Sequence, residues 1–161
     1  MVTPSSRLGR GTSAESNYVV AGSAFPVPYY TSFDSQQKLD AWTVLDLNHD
    51  YHTWEFEGQY GAAEYMRIGM NLEGGALDYL VSPKIHIEEG KTYRMTVGLV
   101  LNGQNESYNL SLQWGDRLEP ETFHTFQSFT QSIGEYDQQV QYYDLEGSFE
   151  SDSTGDNYLS V

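Results

Sequence analysis

The chain is predicted to be all-β, a two-layer antiparallel sandwich. Three observations carry that prediction. Short runs rich in β-branched and aromatic residues recur between turn residues at the roughly 8 to 12 residue spacing of a sandwich or barrel. Several of these runs alternate apolar and polar side chains with a period of two, and helical periodicity is nearly absent. Over 161 residues, 39% hydrophobic and 14% aromatic content supplies enough large apolar surface to offset the ordering of the backbone in one domain.

Taken in order, residues 1–16, MVTPSSRLGRGTSAES, are rich in Ser, Gly and Thr without periodicity and are expected to form a flexible lead-in. Asn17 to Gly22 is a short β-type run, and the two prolines of SAFPVPYY hold the next stretch extended. Residues 1–27 are therefore lead-in and linker, and 28–161 the domain. Strands are expected near Tyr29–Asp34, Trp42–Leu45, His52–Glu57, Glu64–Met70, Asp78–Ser82, Lys84–Ile87, Lys91–Leu101, Ser107–Gly115, Thr122–Thr130, Gln138–Tyr143, Gly147–Glu150 and Tyr158–Val161. One helical turn is expected at Ser35–Ala41, with Ser35 as cap and Leu39 inward. In KTYRMTVGLVL the inward set is Tyr93, Met95, Val97 and Leu99; in SYNLSLQWG it is Tyr108, Leu110, Leu112 and Trp114. The Asn102-Gly103 pair between these two runs suits a tight hairpin.

Charge narrows the partners. The formal net charge is −15, from 23 acidic and 8 basic side chains, and no Lys or Arg follows Arg117. Such a field repels phosphate backbones and anionic lipid, so nucleic acid and membrane surfaces are poor partners. No apolar run reaches the ~18 residues of a spanning helix, so no membrane insertion is expected. No basic-then-apolar leader is visible either; the leader of a secreted protein would lie outside these residues. With no cysteine, a disulfide framework and thiolate chemistry are excluded.

The stretch LDLNHDYHTWEFEG places Asp46, Asn48 and Asp50 on alternate positions. With Glu57 they match positions 1, 3, 5 and 12 of the twelve-residue calcium loop. Two features contradict a complete loop of that kind. Tyr51 stands where the sharp turn wants glycine, and His52, Trp54 and Phe56 alternate as in a strand. At ~3.3 Å per residue that strand carries Glu57 roughly 20 Å from Asp50. Two readings remain: a connecting loop whose carboxylates chelate calcium with an acid from elsewhere in the fold, or a turn whose Asp and Asn side chains bond their own backbone.

Catalytic signatures are missing. No Gly-x-Ser-x-Gly elbow or cysteine nucleophile is present, and His49, His52, His86 and His124 lack zinc spacing. Acid pairs such as Glu55 with Glu57, or Glu88 with Glu89, are ordinary at this composition, and no enzymatic activity is expected. His86, between Ile85 and Ile87, is expected to face solvent. Tyr60, Tyr65, Trp114 and Tyr142-Tyr143 are candidate rings for sugar stacking. Trp42, Trp54 and Trp114 are nonetheless expected in the core.

PYYTSFDS, LDAWTVLDLNHDYHTWEF and LDYLVSPKIHIEEGKTYRMTVGLVL, in this order and spacing, resemble the jelly-roll modules called choice-of-anchor J or cleaved adhesin domains. These occur in multidomain cell-surface and secreted bacterial proteins, including the haemagglutinin regions of gingipain-type proteases, and are similar to the MAM type. The resemblance covers Pro28 to about Val161. It implies a jelly-roll winding and a structural calcium site, with Asp34, Asp46 and Asp50 as the matching candidates. The chain departs from the family pattern in carrying Leu47, His49 and Tyr51 where the family loop usually has glycines. It also lacks the family's closing acidic pair before Val161, so the expectation is that the domain is cut short or its sheet is completed by something else. GTSAESNYVVAG is similar to the closing strand of a fibronectin-type module, which implies neighbouring domains in a longer chain. The function implied is a non-catalytic adhesion or ligand-binding module of a secreted or cell-surface protein, binding a glycan or an extracellular protein. The alternatives are a carbohydrate-binding module of a glycan-degrading enzyme and a structural spacer.

Overall fold

The computed structural model describes residues 5–6, 9–10, 23–33, 40–51, 53–57, 65–68, 77–101, 106–134 and 141–161. Its strands are β1 (Ser5–Ser6), β2 (Gly9–Arg10), β3 (Thr43–Asp46), β4 (Trp54–Glu57), β5 (Tyr65–Ile68), β6 (Asp78–Val81), β7 (Ile85–Ile87), β8 (Thr92–Leu101), β9 (Glu106–Gly115), β10 (His124–Ile133), β11 (Gln141–Glu150) and β12 (Gly155–Ser160). The described helix is a single 3-10 turn, Pro120–Thr122. All strand pairings are antiparallel, with one isolated parallel bridge between Phe25 and Ile85. The protein is thus an all-β sandwich.

One sheet runs β10-β9-β12-β6-β3, with β7 also paired to β12. β8 and β11 pair along their full length, from Thr92 with Glu150 to Leu101 with Gln141. Ribbons β4–β5 and β1–β2 stand as separate pairs. Period-two alternation explains the packing between layers. Leu99 of β8, Leu112 of β9 and Leu145 of β11 meet Val161 in one buried cluster, with Met95, Val97, Leu110 and Trp54 against it. Ile85 and Ile87 of β7, Trp114 and Phe149 form the other, with Tyr93, Phe126 and Leu159 around it. Both predicted inward sets therefore face the core, and Arg94, Thr96 and His86 face out.

The β6–β7 segment reads as one strand broken at Ser82-Pro83. Proline has no N–H to give to a ladder, and the buried Ser82 hydroxyl repairs the gap. It accepts from the Leu159 N–H at 2.9 Å and donates to the Pro83 carbonyl at 2.7 Å. The chain resumes pairing at Ile85, opposite Asn157.

Four expectations change. Tyr29–Phe33 forms no strand; its rings instead gather round Trp42, Tyr29 at 6.4 Å and Phe33 at 5.0 Å. Among the described residues β8 and β9 do not pair as a hairpin: β8 pairs with β11 in one sheet and β9 with β10 and β12 in another. A turn signal such as Asn-Gly fixes local geometry only. Two long strands, each with an apolar face, gain more by closing the core from opposite sheets. Third, of the two strands expected at Gln138–Tyr143 and Gly147–Glu150, the described residues 141–143 and 147–150 belong to one strand, β11. Gly147 does not interrupt it. A Cβ there would stand 2.6 Å from the Gln127 Cβ and 2.9 Å from the Phe126 ring, so glycine permits close approach of β10, at the register shift between Thr125 and Gln127. Fourth, Asp40 and Ala41 lie in a turn; the rest of the expected helix, like Asn17–Gly22 and Asn102-Gly103, lies outside the described residues.

Candidate functional site

The loop after Leu45 sits at the rim of the sheet, where β3 ends. Asp46 is the last residue of β3 and is the register partner of Asp78, the first residue of β6. Directly opposed residues on an antiparallel pair bring their side chains within about 5.5 Å at Cβ, so two carboxylates share one sheet end. Asp50 returns to the same place: its charge and that of Asp46 both act on Asp78. Burial first, then these two neighbouring charges, pushes the Asp78 carboxyl above the ordinary carboxylate range. Thr53 and the Leu77 backbone oppose that rise, yet neither carboxylate oxygen of Asp78 reaches hydrogen-bond geometry with any group. Asp46 Oδ1 and the Thr53 hydroxyl are buried and unpartnered in the same way.

The loop itself is held by its own acids. Asp46 Oδ2 accepts from the Tyr51 N–H at 3.0 Å, and Asp50 Oδ2 accepts from the Asn48 amide at 2.8 Å. His49 and Tyr51 adopt φ of +56° and +66°, the left-handed region that costs an L-residue about 1 to 2 kcal/mol. The path is one that glycine takes without strain, and this chain follows it with two large side chains.

Of the sequence-derived metal candidates, Asp46 and Asp50 come together and Asp34 lies outside the described residues. Glu57 belongs to β4, a strand leading away from the loop, as its alternation requires. Sequence reasoning missed Asp78. Its signal was present: the LDYLVSP run begins with an acid at a strand end, the one place where the side chain can turn toward a neighbouring loop. Among the described residues no three His, Cys, Asp or Glu side chains converge into a metal cage as they stand. One oxygen of each loop acid accepts within the loop, from Tyr51 and from Asn48.

Elsewhere the candidates separate. His86 is exposed and its Nδ1 lies 2.9 Å from Asp156 Oδ1. His49 is exposed in the loop, and His124 stands 5.5 Å from the Trp114 ring. Trp114 is 9% exposed and stacks on Phe149 at 4.9 Å, so it is core. Trp54 packs on the core from the side, and Trp42 is half-buried. Tyr143 turns inward onto Phe129, while Tyr142 is 78% exposed, opposite Val100. The side chains of Tyr60 and Tyr65 lie outside the described residues. No helix among the described residues is long and apolar enough to cross a membrane.

No family model, curated protein or solved structure matches the chain. The site's chemistry is therefore read from its own residues. The rim carries three carboxylates, and both oxygens of the half-buried Asp78 are shielded from solvent without a partner.

Proposed function

We propose that the chain is a non-catalytic adhesion or ligand-binding module of a larger secreted or cell-surface protein, resembling the choice-of-anchor J type, with its loop end braced by calcium. Asp46, Asp50 and Asp78 would hold the ion, with Asp34 as a fourth acid. The observation that supports this reading is the Asp78 carboxylate, buried beside two like charges with neither oxygen paired. A bound divalent cation supplies the countercharge that burial and repulsion otherwise make costly. The ion would tie β3 to β6 and fix the loop; no chemistry is asked of it.

The test is thermal unfolding of the whole chain in chelator and in millimolar calcium. A ligand bound only by the folded state at 100 times its Kd stabilises by about 2.7 kcal/mol, or roughly 5 to 10 °C for a chain this size. Asp46→Ala and Asp78→Asn should each abolish the rise. An unchanged melt in the wild type, with both variants equally silent, rejects the calcium brace and leaves the turn reading of the loop.

A carbohydrate-binding module is the second reading, favoured by the exposed Tyr142 ring on the outer face of β8–β11. Pyranose faces stack on such rings. Binding to a polysaccharide array that is lost in Tyr142→Ala supports it; binding to no glycan or matrix protein at high protein concentration favours a spacer.

A further inference from the structure

Two strand glycines are explained by what touches them. At Gly147 a Cβ would meet the Phe126 ring at 2.9 Å, and at Gly115 the Phe123 ring at 2.5 Å. Gly98, seventh of the ten residues of β8, has no such reason. Its φ lies outside the left-handed region, and a Cβ there would meet nothing closer than Asp144 Oδ1 at 4.0 Å. The β8–β11 register runs through it without a bulge. Any L-residue fits, and a glycine inside a strand costs stability relative to a residue with a side chain. A strand glycine that serves neither a bulge nor an internal contact keeps room for an approach from outside.

The neighbouring side chains define what approaches. Gly98 faces outward as the register partner of Asp144, and one step along the same face Val100 stands opposite Tyr142. Of the described rings carried by strands, Tyr142 is the most exposed, at 78%. Same-face positions on one strand stand about 7 Å apart, so a ring, an apolar floor, a carboxylate and an open notch share one patch. Asp144 makes no hydrogen bond or ion pair among the described residues. At the next position Glu146 is engaged, by Arg94 at 3.6 Å and by the Thr96 hydroxyl at 3.3 Å. The patch therefore offers acceptors, and the cation beside it is already paired. An anionic ligand is repelled by Asp144 and by the net charge of −15. What fits is a flat ligand with an apolar C–H face for Tyr142, hydroxyls that donate to Asp144, and bulk that overhangs Gly98.

We propose that the outer face of β8–β11 binds a neutral glycan, one pyranose stacking on Tyr142, overhanging Gly98 and donating its hydroxyls to Asp144. The proposal rests on the carbohydrate-binding reading above and adds to it the class of sugar and the two positions beside the ring.

The experiment is a titration of the full chain with cellotetraose, mannotetraose and chitotetraose, followed by calorimetry and NMR. Tetragalacturonate is the anionic control and tetramethylammonium the cationic one. Saturable binding of a neutral oligosaccharide is expected, and of neither control. Tyr142→Ala should weaken it at least tenfold, and Asp144→Ala several-fold. Gly98→Val separates this role from a structural one: filling the notch should abolish binding while raising the denaturant midpoint, because valine favours a strand that glycine weakens. Tyr30→Ala, which removes another exposed ring, should change nothing. Undiminished binding by Gly98→Val, equal loss in Tyr30→Ala, or a control ion titrating the Tyr142 signals in place of the neutral sugars overturns the proposal. Neutral-sugar binding untouched by all three variants of the face sinks this site and leaves the carbohydrate reading standing. If none of the three oligosaccharides binds, the proposal fails, and the polysaccharide array decides the reading it rests on.

Discussion

The outer face of β9–β10 and the rim where β3 meets β6 are both polar, and they differ in how their polar atoms are spent. Along β9–β10 the outward side chains pair across the strands rung by rung. Ser107 meets Ser132 at 3.0 Å, Asn109 meets Thr130 at 3.0 Å, Ser111 meets Ser128 at 3.3 Å and Gln113 meets Thr125 at 2.9 Å. No charge is needed and none is present in that ladder. At the β3–β6 rim, two acids face each other with a third nearby, and three of their oxygens are buried without a partner. A self-satisfied ladder is complete as structure, whereas an unsatisfied rim keeps its bonding capacity for something else.

Substitutions can break or sharpen that contrast. The largest effect should come from turning a satisfied buried pair into an unsatisfied one. Ser82→Ala removes the acceptor of the part-buried Leu159 N–H and should destabilise by about 1 to 3 kcal/mol, read as a drop in denaturant midpoint. Gly147→Ala should cost a similar 1 to 3 kcal/mol by overpacking against Phe126 and Gln127; an unchanged midpoint would show that β10 and β11 yield easily there.

The reverse operation, relieving an unsatisfied group, should stabilise. In chelator at neutral pH, Asp78→Asn removes a buried charge and should raise stability by about 1 kcal/mol. The pH dependence has a definite sign. The folded-state pKa of Asp78 lies above its ordinary 3.8, so folding favours the protonated form. The penalty is absent below that ordinary value, grows as pH rises through the folded pKa, and is constant beyond it. The gain from Asp78→Asn should therefore vanish toward acid pH; a gain constant across pH 3 to 7 would show that the rim charges do not matter. Tyr51→Gly, at an exposed position with φ of +66°, should stabilise by up to about 1 kcal/mol through relief of backbone strain. Smallest of all, Ser111→Ala with Ser128→Ala removes both partners of an exposed rung and should change the midpoint by less than about 0.5 kcal/mol.

The same contrast marks what the sequence made legible. Faces were readable, because burial follows a period of two: Met95 to Leu99, Leu110 to Trp114, and His86 between two buried isoleucines all lie where alternation puts them. Pairing was not, because Asn102-Gly103 speaks only for its own turn while the partner of β8 is set by strands some forty residues on. The break expected between Tyr143 and Gly147 does not occur, because Asp144, Leu145 and Glu146 keep the alternation of a single strand. At the rim, Asp46 and Asp50 were visible through their spacing in a loop. Asp78 was not, because only the register of β3 on β6 makes it their neighbour.

The place of β12 carries a consequence for biosynthesis. It is the latest of the twelve described strands, yet it lies mid-sheet, touching β6, β7 and β9. Until a ribosome delivers Gly155–Ser160, the earlier strands on either side have raw edges and no common seam. Exposed edges of that kind invite association with other chains, and the arrival of β12 covers those of β6, β7 and β9 together.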